Sequence, residues 1–411
     1  MIKYDVIIIG GGAAGLLAAG VCAKQGKRVL LIEKNKILGK KLLITGKGRC
    51  NVTNNCNIET FISSVPANAR FLYSAISKLT PKDTIDFFEN LGLRLKTERG
   101  NRVFPESDRS HDVVNTLVKY VKDNNCEIIN ETVKKLIINE EKEIEGVITG
   151  ENRKYYSKSV ILATGGKSYP ATGSTGDGFI FAKKVGHTII ELKPSLVPLV
   201  SKETWCKEIQ GLSLRNIKIY VKDNDSGKII YEDFGEMIFT HFGISGPVIL
   251  SASSHMRKMK DNKYSVIIDL KPALTEKQLD LRIQRDFKEN LNKNFSNALN
   301  KLLPSSIIPV IISLCLINEN TKINQITKSK RRNLVKTIKN LQINIKSFRP
   351  IEEAIITSGG INIKEIEPKT MQSKLIKGLF FAGEIIDVDA YTGGFNLQIA
   401  FSTAYTAAQS C

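Results

Sequence analysis

The chain is poor in the residues that build metal sites and disulfide frameworks. Its 7 cysteines among 411 residues are odd in number and irregular in spacing. There is no Cys-x-x-Cys pair and no His/Cys cluster. A disulfide framework or a bound metal is therefore not expected, and a reducing cytoplasm is the default compartment. Long apolar runs are also missing. The first, Val6 to Ile9, is short and ends in glycines, so no signal peptide is expected. The longest later run, Ile307 to Ile317, is too short to span a bilayer and contains Pro309, so it reads as a buried helix and no membrane association is expected. Acidic residues are scarce, with 41 Asp and Glu against 60 Lys and Arg, a formal net charge of +19. Much of the excess is local. From His255 to Lys346 there are 19 Lys/Arg against 7 Asp/Glu, an excess of +12, densest at Lys328, Lys330, Arg331 and Arg332. Such a field attracts polyanions, RNA first among them. The competing reading is compositional drift in a Lys-rich chain, with these cations merely solvated.

What is present is a soluble globular composition, 42% hydrophobic and 25% charged, long enough for two or three domains. The stretch Tyr4 to Lys34 organises the rest. Val6 to Ile9 has the β-branched composition of a buried parallel strand. Gly10, Gly12 and Gly15 follow at GxGxxG spacing, and a helical pattern rich in small residues runs from Ala13 to Lys24. A second strand, Arg28 to Ile32, ends on Glu33. In such a unit the first glycine makes the tight turn, the second lets the backbone approach a pyrophosphate, and the third lets helix pack on sheet. The helix N-terminus offers free N–H groups to phosphate. Glu33, 18 residues past Gly15, is placed for an adenosine ribose. Dinucleotide binding is the reading; a ligand-free Gly-rich turn leaves the third glycine and Glu33 unexplained.

Further along, Gly39 to Asn54 is glycine-spaced, basic and polar, and is placed to cover a cofactor. Lys40, Lys41 and Arg49 can face phosphate or substrate; Cys50 and Asn51 can face a reactive ring, although Cys50 reads equally well as an inert small residue in a turn. Residues 67–91 read as helical, with Pro81 starting a new helix. Leu93 to Phe104 reads as a hairpin turning at Arg99-Gly100-Asn101, and Ser110 as the cap of a helix to about Lys122. Cys126 to Lys158 reads as a small β meander. Ser159 to Gly166 (SVILATGG) is another buried strand ending in glycines, followed by the polar loop Ser168 to Gly178. Residues 192–270 read as a β domain containing the Gly-rich turn Phe239 to Pro247 around His241, whose plainer reading is a hydrogen-bonded structural histidine. Residues 275–346 read as helices. Leu379 to Glu384 is again a buried strand reaching a glycine-acid pair, and a small-residue helix closes the chain.

Five motifs carry a family resemblance: GGGAAG at 10–15, TGKGRCNVTN at 45–54, ATGG at 163–166, FTHFGISGP at 239–247 and AGEIIDVDAYTGGFN at 382–396. Together, in order and nearly end to end, they resemble the BaiN/YhiN-like (aminoacetone-oxidase-like) FAD-containing, NAD(P)H-linked oxidoreductases. The second, fourth and fifth motifs are specific to that family; the others occur across many flavoproteins. The resemblance implies an α/β fold: a Rossmann-type FAD-binding domain in two chain segments (1–191 and 363–411), with an inserted β domain (192–274, returning at 347–362) that itself carries a basic helical domain (275–346). It implies FAD rather than NAD at the N-terminal glycines. Gly10, Gly12, Ala13, Ala14, Gly15, Glu33 and Lys34 would hold the ADP part, with Val133 touching adenine through its backbone. Lys41 and Gly48 to Asn51 would lie near the flavin, with Ala163, Thr164 and Gly165 at the second strand end. Gly383 with Glu384 or Asp387 would serve the ribitol, and Gly394, Phe395, Asn396 and Leu397 would flank the pyrimidine end of the ring. No histidine precedes residue 111, so the FAD is expected to be noncovalent. No second GxGxxG follows Ala163, so NAD(P)H is expected to dock only transiently.

Family members are linked to reduction of a uridine in 23S ribosomal RNA to dihydrouridine and to reduction of small enones. The basic helical segment favours the ribosomal RNA reaction, with Cys50 first and His241 second as candidate proton donors. A flavoprotein reductase or oxidase of a small molecule, an FAD- and folate-dependent RNA methyltransferase, and a non-catalytic RNA-binding factor are the alternatives.

Overall fold

In a computed structural model describing residues 3–411, the buried β-branched runs form the centre of a parallel sheet. β1 (Lys3–Ile9) pairs in parallel with β2 (Val29–Ile32), Val6 facing Val29 and Ile9 facing Ile32. β1 from Val6 onward and all of β2 are buried on both faces, as a sheet sandwiched by helices requires. The short β3 (Thr53–Asn54), β4 (Leu95–Glu98) and β5 (Arg102–Pro105) form a separate antiparallel sheet. Its hairpin turns at Gly100 and Asn101, which take φ +76° and +57°, the backbone a tight hairpin favours. The expected helix start at Pro81 is found, reinforced by a reciprocal Thr80–Asp83 capping box. Ser110 is the first residue of its helix (Ser110–Asp123) rather than the cap. Its hydroxyl is engaged elsewhere, donating to Leu43 O at 2.8 Å.

The expected meander begins later than Cys126. β6 (Glu127–Ile129) joins the parallel sheet beyond β2. Only β7 (Val133–Ile138), β8 (Ile144–Thr149) and β9 (Lys154–Leu162) run antiparallel in sequence. β9 is one continuous strand: its first half closes the meander and its second half pairs in parallel with β1. β10 (Ile189–Ser195) follows.

The chain then enters a second compact unit, Leu196–Arg349. Here β11 (Leu199–Ser201), β12 (Ser213–Asp223), β13 (Ile229–Thr240), β14 (Gly243–Ser245), β15 (Tyr264–Asp269) and β16 (Leu341–Phe348) close an antiparallel barrel in the order β11-β14-β13-β12-β15-β16. Helices Glu276–Lys288, Ile308–Leu314 and Lys328–Lys339 lie between β15 and β16. The barrel and these helices contribute to one buried cluster, so the helical segment shares the barrel's core. The return strand is β16, at 341–348 rather than within 347–362. β17 (Ile356–Ile361) belongs to the first unit, antiparallel to β10. β18 (Leu379–Phe381) extends the parallel sheet beside β9.

The first unit is therefore residues 3–195 with Pro350–Cys411. Its helices Ala13–Lys24 and Phe395–Ser410 are almost wholly buried. Gly20 of the first lets helix Ser110–Asp123 approach closely: a Cβ there would lie 2.2 Å from the Tyr120 ring. Among the described residues no helix is long and apolar enough to cross a membrane, and no group of three His, Cys, Asp or Glu is placed to hold a metal.

Candidate cofactor site

Three parallel strands of the first unit, β1, β9 and β18, run into Gly10, Gly165 and Gly383 at one edge of the sheet. Gly10 takes φ +105°, and a Cβ there would lie 2.6 Å from Ala163 O. Ala163 N–H in turn donates to Ile9 O, so the ends of β1 and β9 are locked together. A Cβ on Gly15 would sit 1.8 Å from Gly10 O, which makes that position a packing requirement of the turn itself. Gly12 is different. It has an ordinary φ of −83°, and a Cβ there would meet nothing within 4 Å.

The turn leaves donors free. Gly10 N–H is taken by Ile32 O and Gly11 N–H by Glu33 Oε2, while Gly39 N–H donates to Gly11 O. The first intrahelical bond is Leu16 N–H to Gly12 O, and Gly12 supplies no side-chain cap. The N–H groups of Ala13, Ala14 and Gly15 therefore lie outside the helical ladder, with the positive end of the helix behind them.

Glu33 is fixed at the tip of β2. Its Oε2 accepts from Gly11 N–H at 2.6 Å; its Oε1 accepts from Asn35 N–H and the Asn35 amide. A carboxylate has about four lone-pair sites, so capacity for one hydroxyl is left. Glu33 N–H donates to Ile129 O and the Asn130 amide donates to Glu33 O. These bonds bring the chain leading to Val133, buried at the start of β7, beside the same strand end. Asn35 was not legible as part of this cluster.

The C-terminal segment returns to this edge. Gly383 lies with its Cβ position 3.1 Å from the Ala14 methyl, and its N–H donates to Thr403 Oγ1. Gly394, φ +99°, caps the helix Phe395–Ser410 and abuts the backbone of Thr53; a Cβ would lie 2.3 Å from Thr53 O. Asn54 donates its amide to Gly393 O at 3.0 Å. The motifs at 45–54 and 382–396 are thus in contact. The first intrahelical bond there is Gln398 N–H to Gly394 O, so Phe395, Asn396 and Leu397 N–H form a second set outside a ladder. The Asn396 side chain itself is spent locally, bridging Ala390 N–H and O.

Lys41 and Glu384 meet. Lys41 Nζ lies 2.7 Å from Glu384 Oε2 and 2.7 Å from Ser168 Oγ. Glu384 Oε1 also accepts from Thr357 N–H and Ser168 Oγ. These donors compensate a carboxylate only 12% exposed, which is what a partly buried ion pair needs to be tolerated. Ser168 lay in a loop singled out by its glycines; Thr357 gave no sequence signal. Asp387 instead accepts from the Asn68 amide.

Other candidates are engaged elsewhere. The Arg49 guanidinium is clamped by Glu98 and Asp108, at 2.5 Å each, and lies 4.1 Å above the Phe104 ring. Lys34 bonds Thr175 and Asp177. Asn51 Oδ1 accepts from Val103 N–H. Cys50 has φ +60° and no exposed surface, and burial pushes its thiol up to about 12. The Thr164 hydroxyl is buried without a partner, packed toward Gly178. Gly165 turns the chain at φ +73°, and the Gly48 Cβ direction is open.

In the second unit, His241 is exposed on the turn between β13 and β14, its ring edge-on to Phe242 at 4.9 Å. Lys328, Lys330 and Arg332 are exposed. Arg331 is not available as they are. Its Nε lies 2.7 Å from Asp280 Oδ1, with the two side chains 18% and 25% exposed. That pair pins helix Lys328–Lys339 to helix Glu276–Lys288.

The parallel sheet, the glycine turn and the two helix starts without side-chain caps define a Rossmann-type flavoprotein oxidoreductase. The chain belongs to the family described as HI0933-like protein Rossmann domain, whose model matches residues 4–410. It is 31% identical over 412 residues to a ribosomal RNA dihydrouridine synthase of Haemophilus influenzae, covering 98% of this chain and 97% of that protein. It is 29% identical over 413 residues to a 3-dehydro-bile acid delta(4,6)-reductase of Clostridium scindens, covering 98% of each. A 3-ketosteroid delta1-dehydrogenase from Sterolibacterium denitrificans shares the fold, with a TM-score of 0.53 at 12% identity, covering 100% of this chain and 99% of that one. The residues present fit FAD: the open Cβ direction at Gly12, the unpaired N–H groups after it and the spare capacity of Glu33 are what the ADP half of a dinucleotide requires.

Proposed function

We propose that the protein is an FAD-dependent, NAD(P)H-linked reductase that converts a uridine of 23S ribosomal RNA to dihydrouridine. The observation that carries this reading is a full-length relation to a ribosomal RNA dihydrouridine synthase in a chain whose positive charge is concentrated between His255 and Lys346. A field of that kind suits a polyanionic substrate. The relation to a bile acid reductase supports a second reading, reduction of a small enone, and both substrates present an electron-poor carbon–carbon double bond.

The chemistry a bound FAD supplies is two-electron transfer from a nicotinamide to such a bond. The protein's own tasks follow from its donors. Ala13, Ala14 and Gly15 N–H would hold the pyrophosphate and Glu33 would take a ribose hydroxyl. Phe395, Asn396 and Leu397 N–H would face the pyrimidine end of the flavin, where such donors favour negative charge. Lys41, Glu384 and Ser168, one hydrogen-bonded unit, would hold the ribitol side. A proton must reach the carbon next to the one that receives hydride. Cys50 suits this poorly, because its sulfur has no accessible surface and its acidity is suppressed by burial. His241, the second candidate, is exposed on the turn between β13 and β14.

The test is anaerobic reduction of the purified yellow protein with NADPH, followed by its reoxidation with or without unmodified 23S ribosomal RNA. RNA-dependent reoxidation, with dihydrouridine in the nuclease digest, is the expected result. Reoxidation by small enones alone would replace this reading with the second.

A further inference from the structure

The helix Lys328–Lys339 buries Leu334, Val335 and Ile338 and carries Lys328, Arg332 and Lys336 at i, i+4 and i+8 on its exposed side. None of these three forms an ion pair among the described residues, in contrast to Arg331. Beside them stands a turn with an unusual occupant. Leu316 follows the helix Ile308–Leu314, is 88% exposed and takes φ +53°. A single exposed leucine is ordinary, but a leucine in the left-handed region is not: glycine or asparagine holds such a helix end without steric cost. The turn is also held firmly. Cys315 N–H donates to Ile311 O, Leu316 N–H donates to Ser313 O, and the Asn333 amide donates to Cys315 O at 3.1 Å. Asn333 lies one turn before Lys336 (i, i+3) on the helix surface, so the turn that carries Leu316 is anchored on the Lys336 side of the cation row. An apolar tip kept in a costly backbone conformation, rigidly mounted and flanked by unpaired cations, has the make-up of a nucleic-acid wedge, in which cations follow phosphates and the apolar tip enters a gap in the base stack.

We propose that this face is an RNA-contact surface, with Lys328, Arg332 and Lys336 on successive phosphates and Leu316 packed against unstacked bases. The inference rests on the ribosomal RNA reading above and deepens it. The test uses the full FAD-loaded chain and unmodified 23S ribosomal RNA made by transcription, with binding measured against salt. Replacing Lys328, Arg332 and Lys336 together by Gln should reduce the slope of log affinity on log salt by about 2, since each phosphate neutralised on single-stranded RNA adds roughly 0.7 to it. Leu316→Gly, which suits the backbone and so folds, should weaken binding about tenfold with the slope unchanged. A control in the first unit replaces the exposed Lys24, Lys183 and Lys184 by Gln and should leave the slope within a few tenths of wild type. If the control lowers the slope as much as the helix triple, or if Leu316→Gly binds as wild type, the surface is refuted while the ribosomal RNA reading stands. If the wild-type protein neither binds nor reduces the RNA, both fall together.

Discussion

Replacing Gly12 by Ala separates what the glycine turn does for the fold from what it does for the cofactor. In the protein alone the added methyl meets nothing within 4 Å, and φ is −83°, so there is neither a clash nor a backbone penalty. Alanine is a poorer helix N-cap than glycine by some tenths of a kcal/mol. It also restricts the unfolded chain, which favours folding by about 0.4–1 kcal/mol. The two nearly cancel, and the melting temperature of the apoprotein should move by no more than a degree or two. On the proposed binding mode the methyl would occupy the space through which a pyrophosphate approaches Ala13, Ala14 and Gly15 N–H. Loss of two hydrogen bonds to a charged group costs about 3–6 kcal/mol, or roughly 150- to 25,000-fold in FAD affinity. Flavin fluorescence titration of apoprotein measures that loss, and differential scanning fluorimetry without FAD measures the fold. Gly15→Ala is the contrasting variant: its Cβ would lie 1.8 Å from Gly10 O, so it should destabilise the apoprotein itself. Near-wild-type FAD affinity in Gly12→Ala would refute the close approach, and a strongly destabilised Gly12→Ala apoprotein would refute the separation of roles.

Three further outcomes are expected. His187 is buried between Glu365 and Ser373; burial lowers its pKa, with Glu365 opposing. Its neutral form is the folded one, so its contribution is complete above the unfolded value near 6.5 and drains away as pH falls through the lowered folded value. Thermal melts between pH 7 and 5 should show a shallower acid loss in His187→Gln than in wild type, and parallel curves would contradict this. Arg331→Ala should cost about 1 kcal/mol, the pair with Asp280 being only partly buried, and leave the salt slope of RNA binding nearly unchanged, since that guanidinium is already spent. Cys50→Ala should keep FAD and turnover within about threefold and cost roughly 1 kcal/mol for the lost sulfur packing; in wild type, a thiol reagent at pH 7 should leave Cys50 unmodified in the native protein. A large fall in turnover with FAD still bound would return Cys50 to the reaction.

The amino-acid sequence by itself determined the features that obey local rules. The turn at Gly10 to Gly15, the buried strands at 6–9 and 159–162, the helix beginning at Pro81 and the hairpin at Gly100-Asn101 follow from steric limits and side-chain pattern within a few residues of each site. The position of Glu33 was legible for the same reason: a strand, a turn and a helix of fixed rise leave little freedom over so short a distance. Only the tertiary structure decided which charges are spent and which are free. Arg49 and Arg331 look like their neighbouring cations in the sequence, yet each is neutralised by carboxylates from another element. Lys41 finds Glu384 across 343 positions, and Cys50, flanked by polar residues, is sealed in the core. Glu127–Ile129 likewise joins β2 rather than the meander that follows it, because strand partnership is set by which sheet edge is open. Local sequence restricts the backbone, whereas desolvation and ion pairing depend on whichever residues the fold brings alongside. The family resemblance therefore identified the oxidoreductase, but the pairing of individual side chains emerged only with the packed chain.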